Sequence, residues 1–327
     1  MQIWRNAALA AFLFLNGCGG GASSDNVASA PAPVASENGG DTPTAPIVDN
    51  GNSTVRFVAI GDTGRGTAGQ YAVADAIARF CADAGCDFGV MLGDNIYDSG
   101  ASSVDDAQFQ SKFEQPYASL NFPFYVVLGN HDYGNRGAGD EFWKGQVQVD
   151  YSARSSKWRM PAAHYRAVEG PVEFFAIDTT MQLYARDAAQ RRDVAQWLSE
   201  SKAPWKIVLG HHPYLSNGPH GNAGRYDGVA GAGSEVKDFA EGVFCGKADA
   251  YLSGHDHSLQ WLTPTCNGTA LMVSGTGANP TTVSNRNAAY YQAAKLGFLY
   301  VVAESGRLTT KFVNVDGQIE YTRVLTK

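Results

Sequence analysis

Histidine and charge are both scarce in this chain. Of its 327 residues, 17% are Asp, Glu, Lys or Arg and only seven are histidine. The formal net charge is −7, with lysines and arginines scattered rather than gathered. That lacks the basic patch or stripe of a phosphate-backbone binder, so no nucleic-acid partner is expected. No apolar run reaches the ~20 residues that a membrane-spanning helix needs. No C-x-x-C pair occurs, which argues against a metal site built of thiolates. There is no internal repeat, and no Pro/Gly-rich linker interrupts residues 54–327, which are expected to form one domain. An apolar content of 44% is enough for a sizeable core.

What is present begins with an export signal. Arg5 supplies a thin positive n-region and Ala7 to Leu15 an apolar h-region. Leu15-Asn16-Gly17-Cys18 resembles a bacterial lipobox, in which the cysteine becomes lipidated. Residues 1–17 are therefore read as a signal peptide of lipoprotein type. Residues 18–53, rich in Gly, Ala, Ser, Pro and Asn, read as a tether that cannot bury enough surface to fold. The expected location is periplasmic or outer-membrane, held by a lipid anchor; the alternative is a plainly secreted protein. With Cys18 set aside, Cys81, Cys86, Cys245 and Cys266 make an even count, which favours disulfides in an exported chain. Three pairings are open; Cys81–Cys86 with Cys245–Cys266 joins nearest partners and is preferred over four free thiols.

From residue 54 strand and helix patterns alternate. Apolar runs predict strands at 55–60, 88–92, 124–128, 172–177, 207–209 and 250–253. Helical spacing predicts helices near 69–84, 105–116, 186–202 and 235–244. Residues 133–163 read as irregular, and 214–234 as a long Gly-rich loop, a length that is usually functional. Strand-like runs at 270–274, 298–303, 308–313 and 319–324 close the chain. The opening suggests a largely parallel sheet and the tail a second, more antiparallel one.

Five apolar strands end in a glycine followed by a metal-competent side chain: Gly61-Asp62, Gly93-Asp94, Gly129-Asn130, Gly210-His211 and Gly254-His255. Glycine permits the tight turn. If these strands are parallel neighbours, all five turns share one edge, where α/β sheets bind ligands. His257 lies two residues past His255, on the same side in extended chain. Oxygen and imidazole donors without thiolate suit Zn, Fe or Mn. The donors outnumber the needs of one tetrahedral ion, so two ions are expected, with Asp94 between them.

These blocks resemble those of the calcineurin-like metallophosphoesterases: Gly61-Asp62-Thr63-Gly64, Gly93-Asp94-Asn95-Ile96-Tyr97, Gly129-Asn130-His131-Asp132, Gly210-His211-His212-Pro213 and Gly254-His255-Asp256-His257. Tyr97, three residues after Asp94, narrows the resemblance to purple acid phosphatases. Lys157-Trp158-Arg159-Met160-Pro161 before Tyr165-Arg166, and Ser258-Leu259-Gln260 after the last block, resemble the small, mammalian-type tartrate-resistant branch. The resemblance covers residues 54–325 and implies an α/β fold, a four-layer α/β/β/α sandwich with two mixed β-sheets. It implies that Asp62, Tyr97 and His257 hold Fe(III), that Asn130, His211 and His255 hold Fe(II), Zn or Mn, and that Asp94 is shared. His131 and His220 match the substrate-side, catalytic histidines. His212 stands where the family usually has tyrosine, and His164 reads as a structural histidine; neither is assigned to metal.

The implied activity is an acid phosphatase acting on phosphate monoesters, with hydroxide made at the metals as nucleophile. The alternatives are a phosphodiesterase or nucleotide pyrophosphatase on the same scaffold, and a surface protein that binds phosphate without turnover. The sequence carries no reading of oligomeric state. Mass spectrometry of the mature N-terminus tests the anchor: a lipidated Cys18 is expected, and an unmodified start beyond Gly19 excludes it.

Overall fold

The computed structural model describes residues 53–327. The signal and tether readings at 1–17 and 18–53, Cys18 included, lie outside the described residues except for Ser53.

The chain opens with β1 (Thr54–Ile60), α1 (Ala68–Ala84), β2 (Phe88–Leu92) and β3 (Phe124–Val127). β1, β2 and β3 run parallel, in that order. β2 is buried along its whole length, as its unbroken apolar run requires. α1 lays Val73, Ala74, Ala76 and Ile77 against the sheet and ends at Gly85. The φ of +78° at Gly85 suits a residue without Cβ, and its N–H caps the carbonyl of Cys81.

A second series follows: α2 (Trp143–Tyr151), β4 (Trp158–Arg159), β5 (Tyr165–Glu169), β6 (Val172–Ala176), α3 (Thr179–Ala185), α4 (Ala188–Glu200), β7 (Trp205–Leu209), α5 (Ser234–Val243) and β8 (Ala250–Ser253). The remainder is strand: β9 (Leu259–Leu262), β10 (Ala270–Ser274), β11 (Ala289–Ala293), β12 (Gly297–Glu304), β13 (Arg307–Asn314) and β14 (Ile319–Thr326). Two seven-stranded mixed sheets result, ordered β14-β13-β12-β1-β2-β3-β4 and β11-β9-β10-β8-β7-β6-β5.

The sheets pack face to face and helices cover their outer faces, which is the expected α/β/β/α sandwich. Strand alternation divides the core. Phe174, Ala176, Ile207, Leu209, Ala250 and Leu252 point between the sheets, where Phe174 meets Phe57 and Phe88 edge-on at 5.3 and 5.6 Å. Their neighbours Phe175, Val208 and Tyr251 point outward, under Val194, Trp197 and Leu198 of α4 and Phe239, Ala240 and Val243 of α5. Burying each large apolar side chain contributes about 1.5–3 kcal/mol.

Several expectations need correction. The tail is divided between the sheets: β10 joins the second, but the last three strands do not. β12 pairs antiparallel with β1, Val58 opposite Tyr300, so β12–β14 extend the first sheet. β12 is buried on both faces, and an interior place is the one that suits it. The irregular stretch 133–163 contains α2 and β4. α2 turns Lys144, Gly145, Gln148 and Tyr151 inward, so its buried face shows no apolar periodicity. The helix expected at 105–116 is a five-residue wide-turn helix, Gln110–Glu114. The helix expected at 186–202 is α4, but the short helix α3 before it was not expected: Arg186 takes a left-handed conformation between the two, and Asp187 caps α4 by accepting from the N–H of Gln190 at 3.0 Å. β5, β9 and β11 were not foreseen; each carries polar residues among its apolar ones.

Both preferred disulfides are present, Cys81–Cys86 and Cys245–Cys266. They close sequence separations of 5 and 21 residues. By chain entropy alone the short loop contributes about 2 kcal/mol and the long one about 3 kcal/mol. Replacing Cys245 and Cys266 by serine should therefore lower the urea midpoint more than the same change at Cys81 and Cys86.

Candidate metal centre

The five glycine turns lie on one edge of the sandwich, but not as five neighbours of one sheet. β1, β2 and β3 of the first sheet carry Asp62, Asp94 and Asn130, whereas β7 and β8 of the second carry His211 and His255. The site forms where the two sheets meet. Close approach makes the glycines necessary: a Cβ on Gly129 would fall 2.3 Å from the backbone nitrogen and a carboxylate oxygen of Asp94. Asp62, Asp94 and His255 take left-handed conformations, with φ of 60°, 54° and 66°. Such strain in non-glycine residues persists where surrounding structure enforces it.

The donors form two adjoining groups. In one, the facing atoms of Asp94, His211 and His255 all lie within 4.8 Å of one another. His211 Nε2 is 3.4 Å from Asp94 Oδ1, 3.2 Å from His255 Nδ1 and 3.0 Å from Asn130 Oδ1. In the other, the Tyr97 hydroxyl donates to Asp62 Oδ1 at 3.0 Å and lies 3.1 Å from His257 Nε2, which is itself 3.4 Å from Asp62 Oδ1. The Asp94 carboxylate acts on both Tyr97 and His211. Asp62, Asp94, Tyr97, Asn130, His211, His255 and His257 are thus brought together.

Electrostatics show that this donor set suits cations. Asp62 and Asp94 are almost wholly buried, yet among the described residues neither pairs with Lys or Arg. Burial raises the Asp94 pKa, but the charge and hydrogen bond of His211 outweigh it and carry the carboxyl below its usual range. Burial lowers His211, and Asp94 more than reverses this, raising it to about 9. Burial, then neighbouring imidazoles, holds His255 well below 6.5, in the neutral form a metal requires. Burial and the charges of Asp62 and Asp94 drive the Tyr97 phenol well above 10. A phenol there ionises only if a positive charge arrives. Facing imidazole nitrogens, two carboxylates and a phenol fit one or more metal ions.

His131 and His220 stand beside these groups. The His131 N–H donates to Asp94 Oδ1 at 2.9 Å, Nδ1 lies 2.8 Å from the Asp98 carbonyl, and the ring lies 4.4 Å from that of Tyr97. His220 stacks on His255 at 4.1 Å, with Nδ1 2.8 Å from Asp227 Oδ1. A cleft of about 370 Å³, lined by Asn130, Tyr184, His212, His220 and His255 among others, opens alongside. A recess of about 400 Å³ near Trp205 and Arg323 lies at the opposite edge and includes none of the metal-competent donors. His212 is buried, its Nδ1 2.8 Å from the Thr179 hydroxyl, and His164 lies 3.3 Å from Asp193. His164 is thus satisfied away from the donor groups, whereas the His212 ring, held by Thr179, lies 4.4 Å from that of His255.

Sequence reasoning passed over the carboxylates that hold the loops. Asp132 accepts from the N–H groups of Asn95, Ile96 and Gly129 at 2.9, 3.0 and 2.8 Å, and from Gln148 Nε2 at 2.7 Å. It joins the turn of Asp94 to that of Asn130. Asp256 accepts from the N–H groups of His220 and Gly221, joining the turn of His255 to the 214–234 loop. Both occur inside the quoted blocks, so a buried Asp between ligand positions was the available signal. Asp178 caps α3 by accepting from the Met181 N–H at 2.9 Å and also accepts from the Tyr133 hydroxyl.

A twin-sheet sandwich with this donor cluster at its edge defines a metal-dependent phosphoesterase. The sequence matches the calcineurin-like phosphoesterase family over residues 55–259, and the chain belongs to that family and, within it, to the purple acid phosphatases. It is 31% identical to purple acid phosphatase 4 of Arabidopsis thaliana over 301 residues, covering 82% of each chain. It is 32% identical to tartrate-resistant acid phosphatase type 5 of Rattus norvegicus over 308 residues, covering 81% of this chain and 88% of the relative. The fold is shared with GAP50, described as the anchor in the inner membrane complex of Plasmodium, at 22% identity and a TM-score of 0.68, over 84% and 89% of the two chains.

Burial raises the Asp178 carboxyl from 3.8 to about 6. Below about pH 4 the folded and unfolded chains both hold this proton; between about 4 and about 6 only the folded chain does. The stability contributed by this carboxyl therefore falls as pH rises through that window and is level above it. Asp178→Asn keeps an acceptor for the helix cap and cannot ionise. It should flatten this part of the unfolding profile, with a gain at neutral pH of up to about 3 kcal/mol, measured by urea denaturation across the window.

Proposed function

We propose that this chain is an exported acid phosphatase of the small, mammalian type, cleaving phosphate monoesters with two metal ions and anchored by lipid at Cys18. The observation that carries the reading is the second donor group, Asp62, Tyr97 and His257, set against Asp94, His211, His255 and Asn130. The phenol supports iron in the group of Asp62, Tyr97 and His257; the group of Asn130, His211 and His255 would hold Fe(II), Zn or Mn. Bound there, such ions would neutralise phosphate charge and make coordinated water acidic enough to furnish hydroxide as nucleophile.

The chain's own residues do the rest. Asp94 joins the two groups and, through the His131 N–H, fixes that histidine at the mouth. His131 then supports a phosphoryl oxygen. Asp227 holds Nδ1 of His220, leaving Nε2 for the substrate. As the bond between phosphorus and the ester oxygen breaks, His220 gives its proton to the departing alkoxide.

The reading is tested by metal analysis and an absorption spectrum of the isolated protein, beside assays with p-nitrophenyl phosphate and bis(p-nitrophenyl) phosphate. Iron, a visible band and preference for the monoester are expected. A colourless, active zinc or manganese enzyme overturns the iron assignment. Preference for the diester turns the reading to a phosphodiesterase, and phosphate binding without turnover to a binding protein. His220→Ala should lower turnover ~10²-fold or more for an alkyl phosphate and much less for p-nitrophenyl phosphate, whose leaving group needs no proton; equal losses exclude the acid role.

A further inference from the structure

Arg65 lies three residues past Asp62, in the turn between β1 and α1. Its position is set by the backbone. The Gly64 N–H donates to the Asp94 carbonyl at 3.2 Å, and the Tyr97 N–H donates to the Gly64 carbonyl at 2.9 Å. A Cβ on Gly64 would lie 1.9 Å from the Asn95 carbonyl oxygen, so glycine alone allows the two turns to press together. The guanidinium carbon is thereby carried to 3.8 Å from the centroid of the Tyr97 ring.

That cation is only weakly compensated. Its nearest carboxylate is Asp98, 3.6 Å away with a side chain 63% exposed, whereas the Arg65 side chain is 29% exposed. Arg65 Nε is buried and meets no acceptor among the described residues. Lys112 Nζ donates to the Tyr97 carbonyl, adding a second positive charge beside the same residue.

We propose that Arg65 is a tuning residue, which draws electron density from the Tyr97 ring and so sets the colour and reduction potential of the iron centre. This rests on Tyr97 being the phenolate ligand of Fe(III). A cation over an aromatic face is attracted by its π electrons, and the attraction grows when the ring carries a phenolate charge. The guanidinium faces the ring, while a metal at the hydroxyl lies further off. The donor orbitals of the phenolate are therefore lowered more than the acceptor orbitals of the ion. Charge transfer from ring to iron then needs more energy. The same positive charge also disfavours the more highly charged, oxidised state of the centre, so reduction becomes easier.

The experiment uses the iron-loaded full-length protein, its visible spectrum and a spectroelectrochemical titration. Arg65→Met keeps most of the stem and removes the charge; the band should move to longer wavelength and the potential should fall. Arg65→Lys, with charge but no planar stack, should lie between. Asp98→Asn removes the countercharge from an exposed position, and both readouts should move the opposite way. A role confined to holding the turn would not reverse sign between these variants. A band that is present and stays put in Arg65→Met, or that moves the same way in Asp98→Asn, overturns the proposal alone. Absence of any band in iron-loaded wild type overturns the Tyr97–iron reading and this proposal with it.

Discussion

Two buried carboxylates share a small volume with a phenol and three imidazoles, and among the described residues no lysine or arginine pairs with either carboxylate. Crowding so many polar groups into one buried place is costly. Burial and the charges of Asp62 and Asp94 hold the Tyr97 phenol well above its ordinary pKa, and the ring nitrogens of His211 and His255 face each other at 3.2 Å. Holding the donors together demands scaffolding. Left-handed Asp62, Asp94 and His255 each add strain of order 1–3 kcal/mol, and the apolar core between the sheets must offset it.

The scaffolding is polar as well as apolar. Asp132 and Asp256 take up backbone N–H groups that would otherwise be buried without partners, and in doing so they fasten one turn to the next. Burial followed by the nearby charge of Asp94 raises the Asp132 pKa to about 6. That is the expense of placing a third carboxylate next to the cluster. Its three backbone donors and Gln148 make the placement tolerable.

The convergence of the strand ends was more legible in the sequence than the order of the strands around them. Strand ends announce themselves locally, because an apolar run, a glycine and a polar residue are adjacent letters. All seven proposed ligands lie in such blocks or within three residues of them, and all seven meet. Sheet membership is not local. Nothing in Phe298–Ala303 says whether it will pair with β10 or with β1, and the structure chose β1. α2 escaped notice because Lys144, Gly145 and Gln148 occupy its inner face, where an apolar stripe would have signalled a helix. Asp132 and Asp256 stood in plain view, but their hydrogen bonds become apparent only once the turns are brought together.

The place of β12 has a consequence for the order in which the molecule can come into being. Asp62 stands at the end of β1, and one flank of β1 is open until Phe298–Ala303 lies down beside it. Those residues are made some 240 positions after Asp62. The first ligand on the chain therefore waits for nearly the last strands before its own strand is enclosed. During synthesis β1 presents a bare hydrogen-bonding edge rich in Val, Phe and Ile, which invites pairing with the wrong partner. A long-range pairing of this kind makes assembly of the centre a late event, completed from the two ends of the chain at once.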